Sequence, residues 1–532
     1  MKKINRFNFI NLTPLKLVNL FLILLILNNW ILNAFGLLGY NFDIHHAMYS
    51  GFNLINGEFH WTKEYDDKLP VVQILFVIPA FFESIIVWFL MSSLFILFGA
   101  YACYQITYDL ISVHTQIPVE KIKFSAVIAS ILMIYMTLYM PGGIYHINTA
   151  SSSMAIVSIA MLFKSFPKKS KLRKFFFLSS AFCASLAIGI RPHYFLSLIV
   201  VVPLLIYIRS RILTHKINYF KISFFWIFAV GMFGFISNLL IYLILYDISY
   251  FFSGISLLSQ NLHPQTIIVM LKIMGRTFLS LNPILQIIFF VYFGSIIQIL
   301  FYYFYLRKNF LKSQLYFINF IILLIVAPSL ILIMILSKHF LTHYMQMFAP
   351  FISIGAGFFI CMNKYNLNKR ISLKNNFGSW AVATSIILIS AVLQISKDYK
   401  NVVRNIDNNY KFDELLLEIK KTAFFLNIDQ NNFLYIDDMS SHWILKQSRH
   451  GFPHAAHSKH IIAKRWWDEI KMPEHFSHPI NVTEYCETIE EKGPKLVILG
   501  KLGNFDKTCL ANSSKYVFEK ELNTDIKFYI RK

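Results

Sequence analysis

A chain of 532 residues that is 56% hydrophobic, 17% aromatic and only 15% charged, with a mean hydropathy of +0.53, excludes a water-soluble fold with a covered core and reads as a polytopic membrane protein. Its net charge of +22 would suit a nucleic-acid binder, but residues 1–396 hold 29 basic and 9 acidic side chains while 397–532 hold 21 and 19. The excess therefore belongs to the loops between apolar runs, where basic residues set orientation and meet anionic lipid, and no nucleic-acid partner is expected.

The first apolar run, Leu15 to Leu38, is too long for a cleavable signal and lacks a small-residue cleavage site, so it reads as a signal anchor and first span. A hydrocarbon core about 30 Å thick needs about 20 apolar residues per helix. On that ruler further spans fall near 86–108, 124–140, 150–165, 175–190, 195–208, 222–246, 285–305, 316–336, 344–362 and 378–396, giving a helical membrane protein with about 11 transmembrane helices. Val71 to Phe82 is apolar too, but Pro70 and Pro79 bracket it, which predicts an interfacial helix.

Basic residues cluster at Lys2 to Lys16, Lys121/Lys123, Lys164 to Lys174, Arg209 to Lys221, Arg307 to Lys312 and Lys364 to Lys374. These groups recur after every second span, as they should if each marks the cytoplasmic side. The N-terminus is then cytoplasmic, while the first loop (39–85), the connections near 141–149, 247–276 and 337–343, and the tail lie outside an inner (plasma) membrane. The apolar runs end at residue 396. The expected organisation is a membrane domain over 1–396 and an extracytoplasmic α/β domain over 397–532, with strand-like pieces at Phe433 to Asp437, Leu496 to Gly500 and Phe528 to Arg531 and a helical candidate at Phe412 to Phe425. Cys103, Cys183 and Cys361 read as small apolar residues, whereas Cys486 and Cys509 could form a disulfide in an extracytoplasmic tail.

Six of the nine carboxylates before residue 397 fall between positions 43 and 83. Asp43 follows the first span directly, at a boundary where a carboxylate is partly desolvated and suited to act as a base; the alternative is a helix cap. His45 and His46 point to different faces of a helix, so at most one shares a site with Asp43. Glu64, Asp66 and Asp67 form either a solvated acidic bend or a divalent-cation site.

Few basic residues stand on the outer side: Lys63, Lys68, Arg191, Lys272, Arg276 and Lys338, with His339 and His343 beside them. Ionisable groups at such depth are costly and tend to be paired or functional. Arg191, in IGIRPHYF, either grips a lipid-linked phosphate bidentately or snorkels to the interface. Arg276 is a similar candidate. His339 and His343 are spaced to share a helical face, with Tyr344 adjacent and Pro350 interrupting the span that follows. In the tail His450, His454, His457 and His460 stand four, three and three residues apart, either a zinc site on a helix or a metal-free loop.

Taken together, Asp43 in NFDIHHAMYSGFNLINGEFHW, the step from Gly57 to Pro70, LFILFGAY at 94–101, AIGIRPHY at 187–194, HYMQMFAP at 343–350 and the external tail give a chain that resembles the GT-C superfamily of integral-membrane glycosyltransferases, which includes protein O-mannosyltransferases and aminoarabinose transferases. The resemblance implies transfer of a sugar from a polyprenyl-phosphate donor, within a bed of membrane lipids, to a glycan, lipid or protein acceptor. It implies Asp43 as base, Arg191, Lys338 and His343 on the donor phosphate with Arg276 as a further candidate, and His45, His46 and Tyr344 as acceptor or loop contacts. Many members carry two neighbouring acids after the first span; here Ile44 and His45 follow Asp43, which fits either no cofactor or a divalent cation held elsewhere. A transporter or flippase of lipid-linked saccharides, an O-antigen polymerase or ligase, and a non-enzymatic surface or sensory protein are the alternatives.

Overall fold

The computed structural model describes residues 14–35, 42–55, 57, 59, 69–82, 84–112, 117–166, 170–212, 219–259, 266–305, 342–370, 385, 388–404, 421–422, 424–425, 427, 433–436, 495–499, 510, 512–522 and 526–532. Over these residues the chain is helical apart from one small sheet. Among the described residues five helices are long and apolar enough to cross a membrane, or six if a bent pair is one span.

Most of the helices follow the apolar runs, but three form within stretches expected as a loop or a connection, at 42–55, 248–259 and 267–280. In chain order the helices are α1 (Pro14–Ala34), α2 (Phe42–Ile55), α3 (Pro70–Phe81), α4 (Ile85–Ser112), α5 (Val119–Tyr139), α6 (Asn148–Ser165), α7 (Ser170–Ile190), α8 (Tyr194–Ile212) and α9 (Tyr219–Asn238). Then come α10 (Leu240–Leu245), α11 (Ile248–Ser259), α12 (Ile267–Ser280), α13 (Pro283–Tyr305), a 3-10 turn (Thr342–Phe348), α14 (Ala349–Arg370) and a helix over 388–404, here α15. The expected short helix after Pro70 is present as α3, which at 12 residues is too short to span, and Pro79 lies inside it. The stretches 316–336 and 412–420 lie outside the described residues.

Three expectations need correction. The run 222–246 is not one helix: α9 stops at Asn238, whose side chain accepts from Val71 N at 3.2 Å and donates back to Gly234 O at 3.1 Å, and the chain restarts as α10. Pro350 marks a change of helix type inside the candidate span Thr342–Cys361 and not a gap: it stands in the first turn of α14, directly after the 3-10 turn, where its missing N–H and fixed φ are tolerated. The last apolar run does not end its helix at residue 396, because α15 continues to 404. A further break falls at Leu281–Asn282, where α12 and α13 meet at 118°.

The core sits around α6. Of its 18 residues all but Met161 and Lys164 are buried, among them Asn148, Thr149, Ser151, Ser152, Ser153, Ser158 and Ser165. Small residues let neighbours approach closely in a membrane, where no hydrophobic force joins apolar helices, and α4 and α7 pack along this stripe. At the other extreme α9 buries only 11% of its apolar window and presents Phe220, Phe224, Phe225, Phe228 and Met232 outward, against 89% buried for Thr342–Cys361. Such a broad exposed apolar belt is suited to contact with lipid.

In the tail, β1 (Phe433–Ile436), β2 (Leu496–Leu499), β3 (Tyr516–Leu522) and β4 (Ile526–Arg531) form a sheet of order β1-β2-β4-β3. β1 runs parallel to β2, with Phe433 opposite Leu496; β4 is antiparallel to β2 and β3. Three of the strands stand where alternation and β-branching predict them. β3, with its Glu-Lys-Glu run at 519–521, carries too little apolar signal to be read as a strand.

Candidate functional site

Pro192 stops α7 and places Arg191 at its C-terminal end, where Arg191 N still donates to Ala187 O at 2.9 Å. A cation there is favoured by the helix dipole. The side chain is nevertheless 7% exposed, and its Nε donates to Asn148 Oδ1 at the start of α6. Asn148 Nδ2 in turn donates to His343 O at 2.8 Å, which ties the 3-10 turn to both helices.

Around this link aromatic and imidazole rings converge from three parts of the chain. The Arg191 guanidinium lies over Tyr344, 5.6 Å from the ring centroid. Tyr344 stands 5.2 Å from His193 and 4.9 Å from His343, and His343 lies 4.2 Å from His146 at a tilt of 34°. Asn148 N donates to His146 Nδ1 at 3.1 Å, which fixes the orientation of the His146 ring.

The turn 140–147 that delivers His146 depends on two glycines. Gly142 and Gly143 have φ of +106° and +59°, and a Cβ on Gly142 would meet His146 Cβ at 3.0 Å. The same turn is clamped by Gln346, whose Nε2 donates to Gly143 O at 2.7 Å, Thr137 O at 2.9 Å and Thr149 Oγ1 at 3.1 Å. Tyr194 OH secures the other flank by donating to Met347 O at 2.6 Å.

The buried polar atoms without a hydrogen bond among the described residues include Arg191 Nη2 and Gln346 Oε1, both at this site. No carboxylate pairs with Arg191 among those residues either. A buried guanidinium with a donor to spare, walled by tyrosine and histidine, has the chemistry to hold an oxyanion, since such a group is costly to leave unmatched and bonds anions strongly.

Of the residues singled out in the sequence, Arg191, His343 and Tyr344 are brought together here although about 150 positions separate the first from the others. Arg276 is exposed on α12, which packs against the 3-10 turn. Asp43 is the second residue of α2, inside its first turn rather than ahead of it as a cap for a helix beginning at His45 or Ala47. The side chains of Asp43, His45 and His46 lie outside the described residues, as do Lys338, His339, Glu64, Asp66, Asp67, Cys486, Cys509 and the histidines at 450, 454, 457 and 460. Among the described residues no three His, Cys, Asp or Glu side chains are arranged to hold a metal ion.

Sequence reasoning missed Asn148, His146, His193 and Gln346. It also missed Asp398, which is buried on α15 and takes 2.8 Å and 3.3 Å hydrogen bonds from Gln394 Nε2 and Tyr139 OH. Gln394 Oε1 accepts from Asn282 Nδ2, and Asn282 Oδ1 from Tyr135 OH, so the network joins α5, α15 and the α12–α13 elbow. Asp398 stands beyond the last apolar run; burial pushes its carboxyl above the usual carboxylate range, partly offset by the bonds from Gln394 and Tyr139 and by the charge of Lys397. Compared with known proteins, the chain matches no family model and no curated protein.

Proposed function

We propose that this chain is a membrane glycosyltransferase of the GT-C type that moves a sugar from a polyprenyl-phosphate donor to a lipid, glycan or protein acceptor on the outer face of an inner (plasma) membrane. The observation that carries the reading is Arg191, a buried guanidinium with an uncommitted Nη2 beside His343 and Tyr344. In this reading about 11 helices cross the membrane with the N-terminus inside, and the sheet-bearing tail is an extracytoplasmic domain above the Arg191 end.

The chemistry asked of the site is a single in-line displacement. An acceptor hydroxyl or amine attacks the anomeric carbon as the bond from that carbon to the phosphate oxygen breaks, inverting the centre. Asp43 takes the acceptor proton, and the phosphate leaves with the bonding pair, its charge held by Arg191 with His343, Lys338 and Arg276 as further contacts. A metal-free reaction suits a site where the guanidinium supplies the positive charge; a divalent cation remains compatible with the acids at 64, 66 and 67.

The test is donor consumption by the purified full chain in detergent with a panel of polyprenyl-phosphate sugars. Arg191→Gln is expected to lower turnover by about 10²- to 10³-fold and Asp43→Asn by about 10²- to 10⁴-fold, the ranges for loss of an oxyanion donor and of a general base. Wild-type turnover in an Asp43→Asn protein that inserts normally would remove Asp43 as the base. No turnover with any donor, together with saccharide uptake by proteoliposomes, would favour the transporter, a reading to which the 118° break between α12 and α13 lends some support because transporters use discontinuous helices.

A further inference from the structure

From the end of the bundle opposite Arg191, an open groove of about 740 Å³ runs along α7 and α9. The two helices touch where Trp226 Nε1 donates to Ser180 Oγ at 3.0 Å and Phe182 meets Phe233 edge to face at 5.4 Å. The groove runs beside that contact, walled by Phe177 on α7 and Phe225, Phe228 and Met232 on α9, with Arg173 and Lys174 at the end nearest the start of α7. Lys221 adds a third cation, lying over the Phe225 ring at 5.9 Å.

The charges at that end are not there for the helices. Arg173 and Lys174 lie near the N-terminus of α7 and Lys221 in the first turn of α9, where the dipole disfavours cations, and neither first turn holds an acid. Two positive helix ends and three basic side chains therefore surround one opening that leads into an apolar trough. The walls face outward on the most exposed of the candidate spans, so the trough is entered sideways from the lipid and not from water.

We infer that this groove binds an anionic phospholipid, its phosphate head between Arg173, Lys174 and Lys221 and an acyl chain along Phe177, Phe225, Phe228 and Met232. Basic pockets between spanning helices select such headgroups, and the positive-inside pattern puts this end at the leaflet rich in anionic lipid. Eighteen residues of helix separate Arg173 from Arg191, about 27 Å at 1.5 Å per residue, so the two anion sites face opposite leaflets. The inference rests on the chain being a membrane protein and does not depend on its being a transferase.

Native mass spectrometry of the purified full chain, titrated with phosphatidylglycerol or phosphatidylcholine, tests it. The wild type is expected to retain one phosphatidylglycerol preferentially, and Arg173→Gln with Lys174→Gln to weaken it about thirtyfold, from about fivefold per basic side chain at a membrane surface. Ala229→Trp, which fills the trough and leaves the cations in place, is expected to abolish retention with helical circular dichroism unchanged. Equal retention of the two lipids, indifference to both the charge and the filling variants, or displacement of phosphatidylglycerol by an equal concentration of polyprenyl phosphate would overturn the assignment. Loss of binding in the filling variant alone, with the double Gln variant as tight as wild type, would make the groove a neutral lipid trough and overturn it equally.

Discussion

Asn148 engages three polar groups at once: its backbone N–H on His146 Nδ1, its Oδ1 under Arg191 Nε, and its Nδ2 on His343 O. Two substitutions separate its holding role from the charge it leaves on Arg191. Asn148→Ala deprives Arg191 Nε and His343 O of buried partners, and thermal unfolding in detergent is expected to report a loss of about 1–3 kcal/mol. Asn148→Asp sets a carboxylate against the guanidinium and occupies the positive charge. Donor binding is expected to fall about tenfold further in the Asp variant than in the Ala variant. Equal binding by the two would mean that the charge of Arg191 does not hold the donor phosphate. None of this was visible in one dimension, because the bonds run across 43 and 195 positions and an Asn in a Ser/Thr-rich run has no pattern of its own. Arg191, by contrast, was legible as a cation between apolar runs on the side where cations are few.

At the scale of elements, the apolar runs predicted helices well and their breaks poorly. The interruption at Leu239 depends on where Asn238 finds a partner, the N–H of Val71 on α3, and hydropathy is silent about that. The role of α6 was hidden for the opposite reason: its serines make it the least lipid-like of the central helices, yet they are what lets other helices close around it. The contact between α2 and α3 is the most demanding of these joints. A Cβ on Gly51 would stand 2.4 Å from Phe76 O, against backbone that cannot swing aside. Phe76 packs on Trp88 at 4.1 Å, and Trp88 Nε1 donates to Tyr145 O at 2.7 Å, next to His146. Gly51→Val is therefore expected to cost about 1–3 kcal/mol of stability through overpacking and to disturb the Arg191 end through this relay. Melting of the detergent-solubilised protein measures the first effect and donor consumption the second; a variant as stable and as active as wild type would show that α2 and α3 do not meet in this way.

For the whole molecule the decisive quantity is sidedness, because Arg191 acts on an extracytoplasmic acceptor only if its end of the bundle faces out. The helix ends are internally consistent: α5 and α7 finish, and α6 and α8 begin, at the end that carries Arg191, His146 and the 3-10 turn. The basic clusters at Lys121/Lys123 and Lys164 to Lys174 belong to the other end, near the start of α5 and the junction of α6 and α7. With positive charge held inside, the two ends must face opposite compartments. Asp247, exposed between α10 and α11, and Lys123, exposed on the first turns of α5, report on the two sides. A single cysteine in place of Asp247, in a chain otherwise free of accessible thiols, is expected to react with a membrane-impermeant maleimide in intact cells. The same probe should reach Lys123→Cys only after permeabilisation. The reverse pattern would put Arg191 on the cytoplasmic face and with it any phosphate it binds. Labelling of both positions from outside would mean that α5 does not cross the membrane.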